Sequence, residues 1–240
     1  MYRFLIKQVL RYDPGTAREI ARIAVRLSCH AVHIFPSIAS PPLLPVSVMG
    51  LNFPNPVGLA AGFDKNGTMT GSLGPVGFGF VEIGTITPDR PTKGNDGIAV
   101  TISNLERTRA RRLSSPKQVL GINVGSVRKT FSEELIDDYI SAMEAVWDQA
   151  DYLAINLSSP HGWAHADGVN ELEVRTLLER IKDRHDSLTA HTGRRIPITA
   201  KVAVTGDSIP PAAHIAGDLG FDALTVATKR TEPSDLVCSQ

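Results

Sequence analysis

From Val57 onward, short apolar runs alternate with longer segments of helical spacing, and that rhythm leaves few folds open. Strands are expected near Val57–Leu59, Phe80–Ile86, Val119–Asn123, Tyr152–Asn156, Ile198–Val204 and Ala223–Ala227. Between them, Glu133–Trp147 and Glu171–His185 carry the clearest helical patterns, with a weaker one at Pro211–Leu219. Alternation of this kind implies a parallel sheet, either doubly wound or curled into a barrel.

The first 45 residues follow a different rule. Tyr2, Leu5, Ile6, Val9 and Leu10 gather on one helical face, with Arg3, Lys7 and Arg11 opposite. Asp13-Pro14 reads as an N-cap and first helical residue, opening a second helix with Ala17, Ile20, Ala24, Leu27 and Ala31 as its stripe. The proline-rich run from Pro36 to Pro45 then reads as a linker. The expected division is a helical pair and linker over residues 1–45 and an α/β unit over 46–240. A basic amphipathic helix can lie in a membrane interface, and it can equally dock on a core.

No window holds the roughly 20 apolar residues of a membrane span, and the start does not read as a signal peptide, so a cytoplasmic protein is expected. Lys+Arg and Asp+Glu balance at 25 each, which leaves no basic excess for nucleic acid. Cys29 and Cys238 are too far apart in sequence for metal-type spacing and do not suggest a disulfide framework.

Polar residues at strand ends carry the functional signal, because the strands of a buried parallel sheet are otherwise apolar. Asn123 closes VLGIN, Asn156 closes YLAIN, and Lys201 sits inside ITAKVAV. Alternation puts Thr199, Lys201 and Ala203 on the interior side, with Ala200, Val202 and Val204 toward helices. A lysine so placed needs an anionic or strongly accepting partner, either a ligand or an Asp or Glu of the barrel itself. AAGFDKNG (Ala60 to Gly67) has the small residues that let backbone approach a flat ligand, while Asp64-Lys65 also fits a surface ion pair. Asn156-Leu157-Ser158-Ser159-Pro160 places serines where barrel enzymes do chemistry, although Ser-Pro also caps turns. The absence of a Gly-x-Ser-x-Gly elbow argues against a serine hydrolase, and His161 and His165 alone do not form a metal site. His185 reads as a surface or packing residue.

Taken in order, MYRFLIKQVLRYDP, VMGLNFPNPVGLAAGFDKNG, GFGFVEIGTITP, GINVG and YLAINLSSP resemble the class 2, quinone-dependent dihydroorotate dehydrogenases. The resemblance implies a TIM-type β/α barrel carrying flavin mononucleotide (FMN), preceded by an N-terminal helical pair. It further implies oxidation of dihydroorotate to orotate in pyrimidine synthesis, with electrons passed to a membrane quinone. The protein would then be peripheral on the cytoplasmic side of the inner membrane, held there by its N-terminal helices. Carried over residue by residue, Ala61, Gly62, Lys65, Thr85, Asn123, Asn156, Lys201 and Thr228 would bind the flavin. Lys65, Asn95 and His161 would meet the substrate, and Ser159 would be the base.

Three departures accompany the resemblance. RPTKGND (Arg90 to Asp96) is shorter than the family's substrate loop, and His161 stands where the family has an asparagine. Only about six of the eight strand–helix units of a barrel can be traced, so an incomplete barrel is expected, with open edges that would favour an oligomer. Two other functions follow from those departures: an inactive, degenerate paralogue or fragment acting as a binding protein, and a flavoenzyme with an altered substrate.

Overall fold

The computed structural model describes residues 44–73, 78–88, 95–114, 118–158, 170–204 and 209–228, together with Thr16, Glu19, Ile20 and Ile23. Those four early residues are helical. The rest of the expected helical pair and most of the linker lie outside the described residues.

The chain enters through a hairpin, β1 (Val46–Val48) and β2 (Leu51–Phe53), paired antiparallel. Its tight turn uses Met49 at φ 55° and Gly50 at φ 73°, the two positive values that a two-residue hairpin loop of this hand requires. The α/β unit follows as β3 (Gly58–Leu59), α1 (Thr70–Leu73), β4 (Phe80–Ile86), α2 (Ile98–Ser114) and β5 (Val119–Val124). It continues with α3 (Glu133–Val146), β6 (Tyr152–Asn156), α4 (Glu171–Thr192), β7 (Ile198–Val204), α5 (Pro211–Asp218) and β8 (Ala223–Thr228).

Strands β3 to β8 form one six-stranded sheet in sequence order, every neighbouring pair parallel. This is the expected incomplete β/α barrel: among the described residues β3 and β8 are its edges, and β8 leaves Leu224 and Val226 about half exposed.

Two cores lie on opposite faces of the sheet. Outward-pointing Val81, Ile83, Leu120, Ile122, Leu153, Ile155, Ile198 and Ala200 pack with Leu135, Met143, Leu177, Leu178 and Ile181 of the helices. On the inner face Phe53, Val119, Tyr152 and Ala154 form a smaller cluster with Met49, Leu51 and Phe80. The hairpin thus plugs the amino-terminal end of the sheet, with Phe53 edge-on to Phe80 at 5.5 Å between ring centroids. A cavity of about 310 Å³ remains between the hairpin and the inner face, lined in part by Val46, Val48, Tyr152, Leu224 and Thr225.

Helix α3 shows why the sequence pattern works where it is strong. Leu135, Ile136, Tyr139, Ala142, Met143 and Val146 are all buried, a stripe at helical spacing. Ser132 begins the helix by accepting a hydrogen bond from the Leu135 amide at 3.3 Å. Ser132→Ala is therefore expected to lower stability by about 1 kcal/mol, the usual cost of losing an N-cap, measured as a shift in the urea midpoint.

Helices α4 and α2 depart from expectation for local reasons. α4 runs past His185 to Thr192, stopping where Gly193 takes the left-handed conformation at φ 67°. Helix α2 is hidden in the sequence because, among its described side chains, only Thr101, Asn104 and Leu105 are buried, and the run ERTRARR is charged. Among the described residues, no helix is long and apolar enough to cross a membrane.

Candidate functional site

The inner face changes character toward the carboxyl ends of the strands. Above the Phe53–Phe80 plug, Glu82, Asn123, Tyr152, Asn156 and Lys201 replace hydrocarbon, all contributed by the four adjacent strands β4 to β7. Gly121 makes room for this layer, since a Cβ there would stand 2.1 Å from the Tyr152 ring.

Lys201 meets Glu82. Its ammonium donates to Oε1 of the carboxylate at 2.8 Å, with the two side chains 12% and 4% exposed. Of the two partners that sequence reasoning left open for a buried lysine, a carboxylate of the barrel itself is present. The same oxygen accepts from the Asn123 amide at 3.1 Å, and Oε2 accepts from the Tyr152 hydroxyl at 3.1 Å. Burial, reinforced by the neighbouring Glu82 charge, pushes the Tyr152 phenol far above the ordinary tyrosine range, so it stays a donor.

From Asn123 the network climbs toward the strand ends. The Thr85 hydroxyl donates to Asn123 Oδ1 at 2.8 Å and accepts from the Asn156 amide at 2.6 Å. Asn156 Oδ1 in turn accepts from the backbone and hydroxyl of Ser158, at 3.0 and 2.9 Å, which orders the first residues of the following loop. Behind Asn156, the buried Tyr139 hydroxyl donates to its carbonyl at 2.7 Å.

Thr85 reaches this interior through an irregularity. Ile83 pairs with Ile122 and Ile86 with Val124, so β4 carries one extra residue there, and the bulge re-aims the side chain that follows. Gly84 occupies the bulge at φ 105°, and a Cβ on it would lie 2.4 Å from the Asn123 carbonyl oxygen. The Gly84–Thr85 peptide bond is cis.

The loop after β3 brings backbone to the same end of the sheet. Gly62 donates to the Gly84 carbonyl at 2.9 Å. It holds φ 102° with nothing within 4 Å of where a Cβ would stand. Asp64 is fully buried: its carboxylate accepts from the Thr68 and Met69 amides at 3.0 and 2.8 Å and so shapes the turn. Lys65 and Ala61 sit half-buried in this loop.

Asn95, expected at the substrate, has its amide nitrogen on the Thr85 carbonyl at 2.7 Å and its oxygen on the Gly97 amide at 2.9 Å, where it holds the exit of β4. Thr228 ends β8 opposite Val204. Ser159 and His161 lie outside the described residues. His185 packs in the core against Trp147 and contacts the Ile196 carbonyl through Nε2 at 2.7 Å. Among the described residues, no cluster of His, Cys, Asp and Glu could hold a metal ion.

Glu82 is the residue that sequence reasoning missed. A charge in the middle of FVEIGTI, a run otherwise apolar until its end, is the same anomaly that marks Lys201, and applying one argument to both would have paired them.

Comparison with known proteins bears directly on this arrangement. Residues 43–101 match the family model for dihydroorotate dehydrogenase. A dihydroorotate dehydrogenase (quinone) of Methylococcus capsulatus is 37% identical over 264 residues, covering 98% of this chain and 74% of that protein. The chain belongs to the dihydroorotate dehydrogenase (quinone) family.

Another member, from Stenotrophomonas maltophilia, is 40% identical over 212 residues, 78% of this chain, and the match spans only 58% of that relative's length. The crystal structure of a ligand-free DHODH from Eimeria tenella superposes with a TM-score of 0.71 at 27% identity, covering 95% of this chain and 72% of that one. Family membership thus agrees with the fold, a parallel β/α sheet that forms part of a barrel.

Proposed function

We propose that this chain carries the FMN-facing part of a quinone-dependent dihydroorotate dehydrogenase. The observation that supports the reading best is the continuous polar network from Lys201 and Glu82 through Asn123 and Thr85 to Asn156, built on four adjacent strands at the end of the sheet where barrel enzymes do chemistry. The residues fit a flavin. Gly62 presents open backbone to which a flat ring can come close, while Thr85, Asn123, Asn156 and Lys201 offer hydroxyl, amide and ammonium groups to a polar ring edge.

When bound, FMN would accept the hydride that leaves dihydroorotate as orotate forms. Lys201 would stabilise the negative charge that the ring gains on reduction, since a preorganised cation in a water-poor site acts strongly on developing charge. Ser159 would take the substrate proton. It follows Ser158, whose backbone and hydroxyl are tied to Asn156. Lys65, Asn95 and His161 would meet the substrate, Ala61 and Thr228 the cofactor. A membrane quinone would reoxidise the flavin, with the N-terminal helices resting on the cytoplasmic side of the membrane.

Titration of the purified chain with FMN, followed by visible absorbance, tests this. The expected result is saturable uptake and bleaching of the bound flavin when dihydroorotate is added. Failure to take up flavin overturns the reading. Uptake without bleaching would favour a flavoenzyme with another substrate, a reading that the short Arg90–Asp96 segment and His161 also suit.

A further inference from the structure

The flavin reading gives Lys201 a task and leaves Glu82 without one. A carboxylate 3% exposed at the centre of a barrel is not retained by solvation, and hydrocarbon would fill the same space. Glu82 is nevertheless the point at which the network converges. It takes the Lys201 ammonium at 2.8 Å and the Asn123 amide at 3.1 Å on one oxygen, and the Tyr152 hydroxyl at 3.1 Å on the other. Asn123 is in turn the acceptor for Thr85, which accepts from Asn156. Every polar side chain of the described flavin-facing edge on β4 to β7 therefore traces back to this carboxylate within three hydrogen bonds.

The geometry has an electrostatic result as well as a positional one. With its counter-charge at 2.8 Å, Lys201 presents part of an ion pair to the site rather than a bare cation. We propose that Glu82 is a positioning residue that fixes the Lys201 ammonium and tempers its charge, and so sets how strongly the site prefers reduced over oxidised flavin. The proposal rests on the flavin reading above. It assigns the ion pair a function that a structural pair would not have: removing the carboxylate charge while keeping its shape makes the bound flavin easier to reduce.

The test compares wild type, Glu82→Gln, Lys201→Met and Tyr152→Phe for binding of oxidised and reduced FMN and for the midpoint potential of the bound flavin, with circular dichroism as the check on folding. Glu82→Gln is expected to strengthen binding of reduced relative to oxidised FMN by about tenfold, a rise of about 30 mV for a two-electron couple. Lys201→Met is expected to shift the ratio the other way. Tyr152→Phe keeps both charges but removes a donor from the carboxylate, so it lowers the potential by a smaller amount, and it carries the test if Glu82→Gln does not fold.

A potential unchanged in folded, flavin-loaded Glu82→Gln, or in Tyr152→Phe where that variant stands in, overturns the role of Glu82 and leaves the flavin reading intact. A wild-type chain that takes up no FMN overturns both, and the wild-type titration alone separates that case.

Discussion

Lys201→Met is expected to destabilise the folded chain by about 3–5 kcal/mol, the cost of breaking a buried ion pair from one side. The variant leaves the Glu82 carboxylate 3% exposed, with the Asn123 amide and Tyr152 hydroxyl as its remaining donors and no cation opposite among the described residues. A methionine fills the volume but cannot offset the charge. The double variant Lys201→Met/Glu82→Gln is the decisive companion, because removing both charges together should recover most of the loss. Urea unfolding of wild type, both single variants and the double variant measures this directly. A single-variant loss below about 1 kcal/mol would place the pair in the class of surface salt bridges and contradict its burial.

The second large effect is expected at Gly84. Gly84→Ala forces a side chain onto a residue at φ 105° and sets its Cβ 2.4 Å from the Asn123 carbonyl oxygen and 2.8 Å from the Ile86 amide nitrogen. Backbone strain of this kind costs about 1–3 kcal/mol and overpacking about as much again, so a total loss of about 2–6 kcal/mol is expected in urea unfolding. Because the bulge also aims Thr85, the variant should lose FMN binding out of proportion to its remaining folded fraction. Gly217→Ala is the control: it lies in helix α5, a Cβ there meets nothing within 4 Å, and its effect should be neutral or stabilising by up to about 1 kcal/mol. Equal losses at the two positions would mean that the bulge carries no special constraint.

The contrast between those two glycines shows what could be read from the sequence. The three strands Phe80–Ile86, Tyr152–Asn156 and Ile198–Val204 were legible to the residue because buried parallel strands are nearly continuous apolar runs with sharp polar ends. The inward side of β7 was legible too, from simple alternation around Lys201. The same alternation fails on β4. It would place Thr85 with Val81 and Ile83 on the helix-facing side, and only the extra residue at the bulge turns the hydroxyl inward. A bulge leaves no mark in sequence beyond a glycine, and Gly84 reads equally well as a plain strand exit.

The hairpin was missed for a related reason. Val46 and Val48 stay exposed and β2 alternates over only three residues, from Leu51 to Phe53, too short a run to betray a strand, although Met49-Gly50 is a turn signal in hindsight. Asn95 illustrates a third kind of gap: the resemblance implied a substrate role for it, and nothing in the sequence indicated that its amide would be bound to the Thr85 carbonyl.

The strand order has a consequence for how such a chain assembles. Each strand from β3 to β8 pairs with the one next to it in sequence, so the sheet can grow in one direction while the chain is still emerging, without waiting for distant segments to meet. The polar interior cannot. Glu82 and its cation are 119 positions apart, and for as long as β7 has not docked the carboxylate stands on a half-built sheet without its counter-charge. Water must then reach the inner face until late in assembly, and drying of the interior becomes coupled to the arrival of Lys201. The ion pair can therefore form only after β7, the fifth of the six strands, is in place.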